Sequence, residues 1–205
     1  MKALIVVDIQ HDFLPGGALA VSEGDEIIPL VNELMDKFDL IVATQDWHPA
    51  GHGSFASNHQ GKKPGDMIVL NGLDQILWPD HCIQESHGAK FSKVLDFDRF
   101  NKVFQKGTDK GIDSYSGFFD NGKMKDTGMN QYLREHGVDE VFVVGLATDY
   151  CVKFTAIDAA ELKFTTHVIA DATRAVNLQP GDFARALKEM QQKGINIIDA
   201  EELLH

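Results

Sequence analysis

Cys151 ends the turn Gly145-Leu146-Ala147-Thr148-Asp149-Tyr150-Cys151. The residues before it, Val138 to Val144, finish in a β-branched apolar run, the pattern of a strand buried on both faces of a parallel sheet. After it, Val152, Thr155, Ala156, Ala159 and Ala160 recur at helical spacing. This predicts a thiol at the junction of a strand and a helix. Unpaired N–H groups and the helix dipole favour negative charge there, which stabilises a thiolate and any oxyanion formed beside it. Free cysteines are also among the most commonly buried residues, so simple packing is the alternative that partner groups must decide.

Three polar residues follow apolar runs in the same way. Asp8 closes Ala3 to Val7, Asp46 follows Leu40 to Ala43, and Lys106 closes Asn101 to Gln105. In open α/β sheets the carboxyl ends of strands share one edge, so Asp8, Asp46, Lys106 and Cys151 are expected to converge. Together they suit amide hydrolysis through a thioester. Asp8 takes the thiol proton while the charge of Lys106 favours the thiolate, which attacks an acyl carbon. Backbone N–H groups of Ala147 and Cys151 are the predicted oxyanion hole. Asp8 then protonates the leaving amine and activates water to cleave the thioester.

From Thr44 to about Gly88 the chain has no long periodic run and is predicted to be a long loop, of the kind that a function or a ligand usually orders. It carries Asp46, His48, His52, His59, His81 and His87. Asp46 and His48 leave an extended segment on one face, and carboxylate with imidazole suits zinc, iron or manganese. His81, in Trp78-Pro79-Asp80-His81-Cys82, is the predicted third ligand and His52 the candidate fourth. One divalent ion is expected, zinc first among the three. A metal-bound hydroxide is then a rival nucleophile, with Cys151 merely packed. Gly107 to Gly122 is a second loop, whose Tyr115, Phe118 and Phe119 are available to line a pocket.

Strands alternating with helices place these residues on a mostly parallel six-stranded sheet covered on both faces, a three-layer α/β architecture, with residues 1–205 as a single domain. Ile27, Leu30, Val31, Leu34 and Met35 mark the first helix, Met129 and Leu133 the second, and Phe183, Leu187 and Met190 the last. A formal net charge of -12 opposes nucleic-acid or anionic-membrane partners and leaves a small molecule as the expected one. The apolar runs are too short to span a bilayer, a cytoplasmic protein is expected, and Cys82 and Cys151 are read as free thiols. Self-association as a homo-oligomer is left open.

Asp8 in Val6-Val7-Asp8-Ile9-Gln10, Asp46 and His48 in Thr44-Gln45-Asp46-Trp47-His48-Pro49, His81 before Cys82, Lys106 before Gly107 and Cys151 in its turn stand in collinear order. Over nearly the whole chain this resembles the nicotinamidases and pyrazinamidases of the isochorismatase-like cysteine hydrolase superfamily. The resemblance implies that superfamily's fold, a triad of Asp8, Lys106 and Cys151, and a metal on Asp46, His48 and His81. It also implies a cis peptide between Leu146 and Ala147. Phe13, Trp78 and Tyr115 match positions that surround the ring of the substrate, whose ring nitrogen the metal binds. The implied activity is conversion of nicotinamide to nicotinate and ammonia, and of pyrazinamide to pyrazinoate, in NAD salvage. Another amide or a ureido compound is the rival substrate, and a binding module without turnover is the rival class.

Overall fold

The computed structural model describes residues 1–205. Its centre is a six-stranded sheet in the order β5-β2-β1-β6-β7-β8, with every neighbouring pair parallel. In chain order the elements are β1 (Lys2–Val7), α1 (Ile28–Met35), β2 (Leu40–Asp46), β3 (Met67–Leu70), β4 (Leu73–Ile76) and β5 (Lys102–Lys106). They continue as α2 (Met129–Glu135), β6 (Glu140–Leu146), α3 (Lys153–Glu161), β7 (Thr165–Arg174), α4 (Asp182–Gln192), β8 (Asn196–Ile198) and α5 (Glu201–Leu204).

The apolar runs form strands because both of their faces are covered. Leu4 and Val6 of β1 join Ile41, Ala43, Phe142 and Val144 in one core, closed by Ile28, Val31, Leu34 and Met35 of α1. Ala3, Ile5 and Val7 point the other way, into a second core with Val42, Val141 and Val143. Met129 and Leu133 of α2, Ala156 and Ala159 of α3 and Met190 of α4 cover that side. Alternate residues of one strand thus serve two hydrophobic layers, as the period of two requires. No helix is long and apolar enough to cross a membrane.

From β1 the chain first builds outward through β2 and β5, then returns to the other side of β1 as β6. The order therefore reverses between β1 and β6. A crevice opens at the carboxyl ends of strands at such a reversal, where ligands bind in open α/β sheets. Gly145 makes the junction tight: its φ is +110° and a Cβ there would collide with the Val7 backbone.

Two expectations are corrected. The stretch from Thr44 to Gly88 is not all loop, because β3 and β4 form an antiparallel hairpin within it. Its outward residues include the exposed Met67 and Val69, so the alternation carries no apolar face strong enough to announce a strand. The apolar run His167 to Ala170 predicts a strand that ends in Asp171-Ala172, but it runs on as β7 to Arg174, resuming its pairing with β6 at Gly145 and Thr173 after an irregularity. The exposed Asp171 interrupts the apolar pattern, and its carboxylate accepts from the Ala200 N–H (3.0 Å).

Candidate active site

Parallel pairing brings the strand ends into register. Asp46 pairs with Lys106 across β2 and β5, while Val7 lies between Thr44 and Gly145. Asp8 leaves β1 in the left-handed region (φ 47°), a conformation that aspartate tolerates better than most residues. Its side chain is fully buried.

Lys106 is the hub. Its ammonium lies 2.8 Å from Asp8 Oδ2, 2.9 Å from the Ser114 carbonyl and 3.3 Å from Cys151 Sγ, and it also donates to Asp46 Oδ1. Three N–H bonds thus face four acceptors, so the contact with sulfur competes with the other three. Thr44 Oγ1 donates to Asp8 Oδ1 at 2.6 Å. Asp8, Asp46 and Cys151 lie within 4.8 Å of one another.

The two carboxyls are held differently. Burial pushes Asp8 above its ordinary value against the attraction of Lys106. Burial acts on Asp46 in the same sense, but Lys106 and His48 together pull it well below. Burial raises the Cys151 thiol well above its ordinary value, with Lys106 opposing and Asp8 and Asp46 adding to the rise. Lys106 is held well above its own, because Asp46 and Asp8 outweigh burial. The pocket therefore holds an anionic Asp46, a cationic Lys106, and a thiol beside the more basic carboxyl. That is the pairing a proton transfer from Cys151 to Asp8 needs.

Cys151 lies in a single π-helical turn, Thr148–Val152, that runs directly into α3. The expectation of a plain helix beginning is refined accordingly: the Val152 N–H reaches back five residues to the Ala147 carbonyl. The Leu146–Ala147 peptide is cis. The Ala147 N–H has no acceptor within the protein, and Ala147 and Cys151 line the same small pocket.

A second group of donors adjoins the hub. His48 Nδ1–H donates to the Gly107 carbonyl (2.9 Å) and His81 Nδ1–H to the Pro79 carbonyl (2.7 Å). These bonds fix the tautomers, leaving a lone pair on each Nε2. The two Nε2 atoms lie 3.5 and 3.7 Å from Asp46 Oδ2, and His48 Nε2 has no hydrogen-bond partner. Three buried acceptors face one another here, an arrangement that calls for a cation among them. The donor set fits a divalent metal ion. Gly107 (φ +64°) lets the chain pass against the His48 ring, where a Cβ would collide with it.

His52 does not join that group. Its Nδ1 accepts from the Ser54 N–H (3.2 Å) and meets Ser54 Oγ at 2.8 Å, while Nε2–H points to the Ile112 carbonyl at 3.3 Å. It clusters with His48 and Asp113 instead. His59 Nε2–H donates to the Gly53 carbonyl (2.8 Å), and His87 stacks on His11 away from the site.

Phe13, Trp78 and Tyr115 line the pocket over Cys151 together with Asp46, His81 and Tyr150. The Tyr115 hydroxyl accepts from Trp78 Nε1–H and from Gln75 Nε2–H, both at 3.1 Å, which locks two of the aromatic walls together. Phe118 is instead buried in the core. Sequence reasoning missed Gln10, whose amide clamps the Asp46 backbone: it accepts from the Asp46 N–H (2.8 Å) and donates to the Asp46 carbonyl (2.9 Å). It also missed Thr44 and Tyr150. No periodic signal pointed to Gln10, because Asp8, in the left-handed region just after β1, ends the alternation of the strand before it.

Residues 2–202 match the isochorismatase domain. The nicotinamidase of Escherichia coli is 48% identical over 200 residues, spanning 96% of this chain and 93% of its own. Among solved structures, a nicotinamidase and pyrazinamidase of Acinetobacter baumanii superposes with a TM-score of 0.96 at 46% identity, covering 99% of this chain and 98% of that one. A pyrazinamidase of Pyrococcus horikoshii in complex with zinc gives a TM-score of 0.78 at 41% identity, over 97% and 98% of the two chains. Strand order, crevice and full-length similarity agree: the chain belongs to the isochorismatase family, within its nicotinamidase and pyrazinamidase group.

Proposed function

We propose that this protein is an amidohydrolase that converts nicotinamide to nicotinate and ammonia, and pyrazinamide to pyrazinoate, by way of a thioester on Cys151. The observation that carries the reading is the Lys106 ammonium in contact with Cys151 Sγ and Asp8 Oδ2 in one fully buried cluster. The names of the most similar relatives supply the substrates.

Asp8 accepts the Cys151 proton, and Lys106 holds the resulting sulfur anion. Sulfur attacks the carboxamide carbon, forming a C–S bond as the carbonyl π electrons move to oxygen. That oxygen is received at the turn, where the Ala147 N–H is free to donate and the Cys151 N–H is the second donor. Asp8 returns its proton to nitrogen, the C–N bond breaks and ammonia leaves. A water then gives its proton to Asp8 and attacks the thioester, and collapse expels the thiolate and leaves the acid. Lys106 and Thr44 hold Asp8 in place through both halves.

Asp46, His48 and His81 would hold one divalent ion, zinc by analogy with the Pyrococcus relative. A bound ion supplies a Lewis acid for a ring nitrogen of the substrate. Phe13, Trp78 and Tyr115 enclose a flat ring, and the narrow pocket excludes bulk water from the thioester. Production of nicotinate from nicotinamide places the enzyme in pyridine nucleotide salvage.

Ammonia release from nicotinamide tests the reading. The zinc-loaded parent is expected to release it, and Cys151→Ala is expected to bind nicotinamide without turnover. Release by Cys151→Ala would move the nucleophile to a metal-bound water. A folded, metal-loaded parent that hydrolyses a ureido acid but not nicotinamide would keep the chemistry and replace the substrate.

A further inference from the structure

A second cavity, of about 420 Å3, lies apart from the amide site. It lies between the short helical turn His11–Phe13 and the segment from His87 to Phe97. His11, His87, Lys90 and Lys93 line it, over a floor of Gln45 and Phe91. The two imidazoles stack face to face, with centroids 4.2 Å apart and planes 20° from parallel.

None of these four basic side chains makes an ion pair or a hydrogen bond within the protein. Asp25 lies in the adjoining pocket that His11 and His87 also line, and Asp12 is committed elsewhere: Oδ2 accepts from the Cys82 N–H (2.7 Å) and Oδ1 from the Ala18 N–H (3.3 Å). Burial, with His87 and Lys93 beside it, holds the His11 imidazole below its ordinary value against the pull of Asp12. Lys90 and Lys93 are unpaired and no carboxylate is among the lining residues, so the cavity carries net positive charge.

The two walls are fixed to each other by the backbone. The His11 N–H donates to the Lys90 carbonyl (2.9 Å), the Asp12 N–H to the Gly88 carbonyl (3.0 Å), and Gln10 forms an isolated antiparallel bridge with Phe91. The backbone segments that carry the stacked rings are thus fixed to each other before any ligand arrives, with His87, Lys90 and Lys93 exposed to solvent. Imidazole N–H donors with two mobile ammonium groups suit a compact dianion better than a monovalent carboxylate.

We propose that this cavity binds a phosphate-bearing small molecule, with the oxyanion held by His11, His87, Lys90 and Lys93. Its position gives it a route to the amide site. The Ala89 carbonyl, between His87 and Lys90 in the chain, accepts from Gln10 Nε2 (2.8 Å) and from Gln45 Nε2 (2.9 Å). Gln10 is the residue that clamps the Asp46 backbone. A ligand that grips His87 and Lys90 thus pulls on a peptide one hydrogen bond from that clamp. This proposal is independent of which amide the enzyme hydrolyses.

The test uses the metal-loaded, full-length protein at low ionic strength, titrated with inorganic phosphate and, separately, with phenyl phosphate. The His11 and His87 ring resonances are followed by NMR, with chloride at matched ionic strength as the control. Saturable shifts with phosphate and none with chloride are expected. Tighter binding of phenyl phosphate would identify a phosphorylated metabolite as the ligand, and equal binding the free ion. Lys93→Gln and His87→Gln are each expected to weaken binding about tenfold, the scale of one lost charge-assisted hydrogen bond, with basal amide hydrolysis unchanged. Lys93 is exposed, so its variant keeps the fold. Non-saturable shifts, or saturable binding that both variants retain in full, would overturn the proposal and leave a solvated basic surface.

Discussion

Replacing Lys106 with methionine removes the charge at the centre of the site while keeping the length of the side chain. In the parent, Lys106 Nζ stands 2.8 Å from Asp8 Oδ2 and donates to Asp46 Oδ1, and all three side chains are buried. Without it the carboxyls keep the desolvation that burial imposes and lose the positive charge that offsets it. Breaking a buried ion pair from one side costs about 3–5 kcal/mol. That is a large part of the roughly 5–15 kcal/mol that holds a typical domain together, so Lys106→Met folds but unfolds at much lower urea. The sign with pH follows from the carboxyls. Asp46 is held well below its ordinary value in the parent, so its contribution is present above the unfolded pKa of about 3.9 and is lost as pH falls through the lower folded pKa. Lys106 is held well above its own, so its contribution is present below about pH 10.4 and is lost only as pH rises through the raised folded value. In the variant, Asp8 loses the largest influence that lowers it, and Asp46 keeps only the pull of His48 and His81 against burial, so both carboxyls rise relative to the parent. Its folded state then takes up protons as pH falls and gains on the parent. Urea titrations in the presence of a chelator should give a deficit of about 3–5 kcal/mol near pH 7 that narrows toward about pH 5. A deficit that stays constant over that interval would refute the claim that Lys106 acts by neutralising these carboxylates.

Thr44→Val removes the 2.6 Å hydrogen bond to Asp8 Oδ1 and, with it, one of the influences that lower Asp8. The acidic limb of the kcat/KM profile should move to higher pH, with a loss of about 1.5–3 kcal/mol in stability, and an unmoved limb would exclude Asp8 as the proton acceptor. Gly107→Ala places a methyl group against the His48 ring in a backbone conformation unsuited to alanine. Metal content measured after dialysis should fall, while a variant that keeps full stoichiometry would detach His48 from the metal. Gln10→Leu removes both bonds to the Asp46 backbone without touching a ligand atom. Zinc affinity should drop about 10–100-fold, as for other supporting partners of ligands, and unchanged affinity would make Gln10 a core residue only.

The sheet is legible in the sequence because its strands are buried on both faces, and so appear as runs such as Ala3 to Val7 and Val141 to Val144. Asp8 ends such a run, Asp46 and Lys106 end strands whose last residues are polar, and the parallel topology brings all three to one edge. What sequence leaves out is mostly backbone. The carbonyls of Gly107, Pro79 and Ser114 orient His48, His81 and Lys106, yet any residue type offers the same oxygen. His52 fits a metal ligand by type and spacing, but the local fold of Ser54 and Ile112 spends both of its nitrogens. The π-helical turn at Cys151 is likewise invisible, since Thr148 to Val152 holds no residue that specifies it. The His11 and His87 stack joins residues far apart in the chain, which the backbone bonds of Gln10, His11 and Asp12 to the segment from Gly88 to Phe91 bring together.

The most direct test of the central claim is mass spectrometry of the zinc-loaded enzyme, quenched in acid within milliseconds of mixing with nicotinamide. The account predicts a nicotinoyl adduct on the peptide containing Cys151, absent from Cys151→Ala and cleared as turnover ends. Turnover of the parent with unmodified Cys151 at every quench time, together with ammonia release by Cys151→Ala, would contradict it.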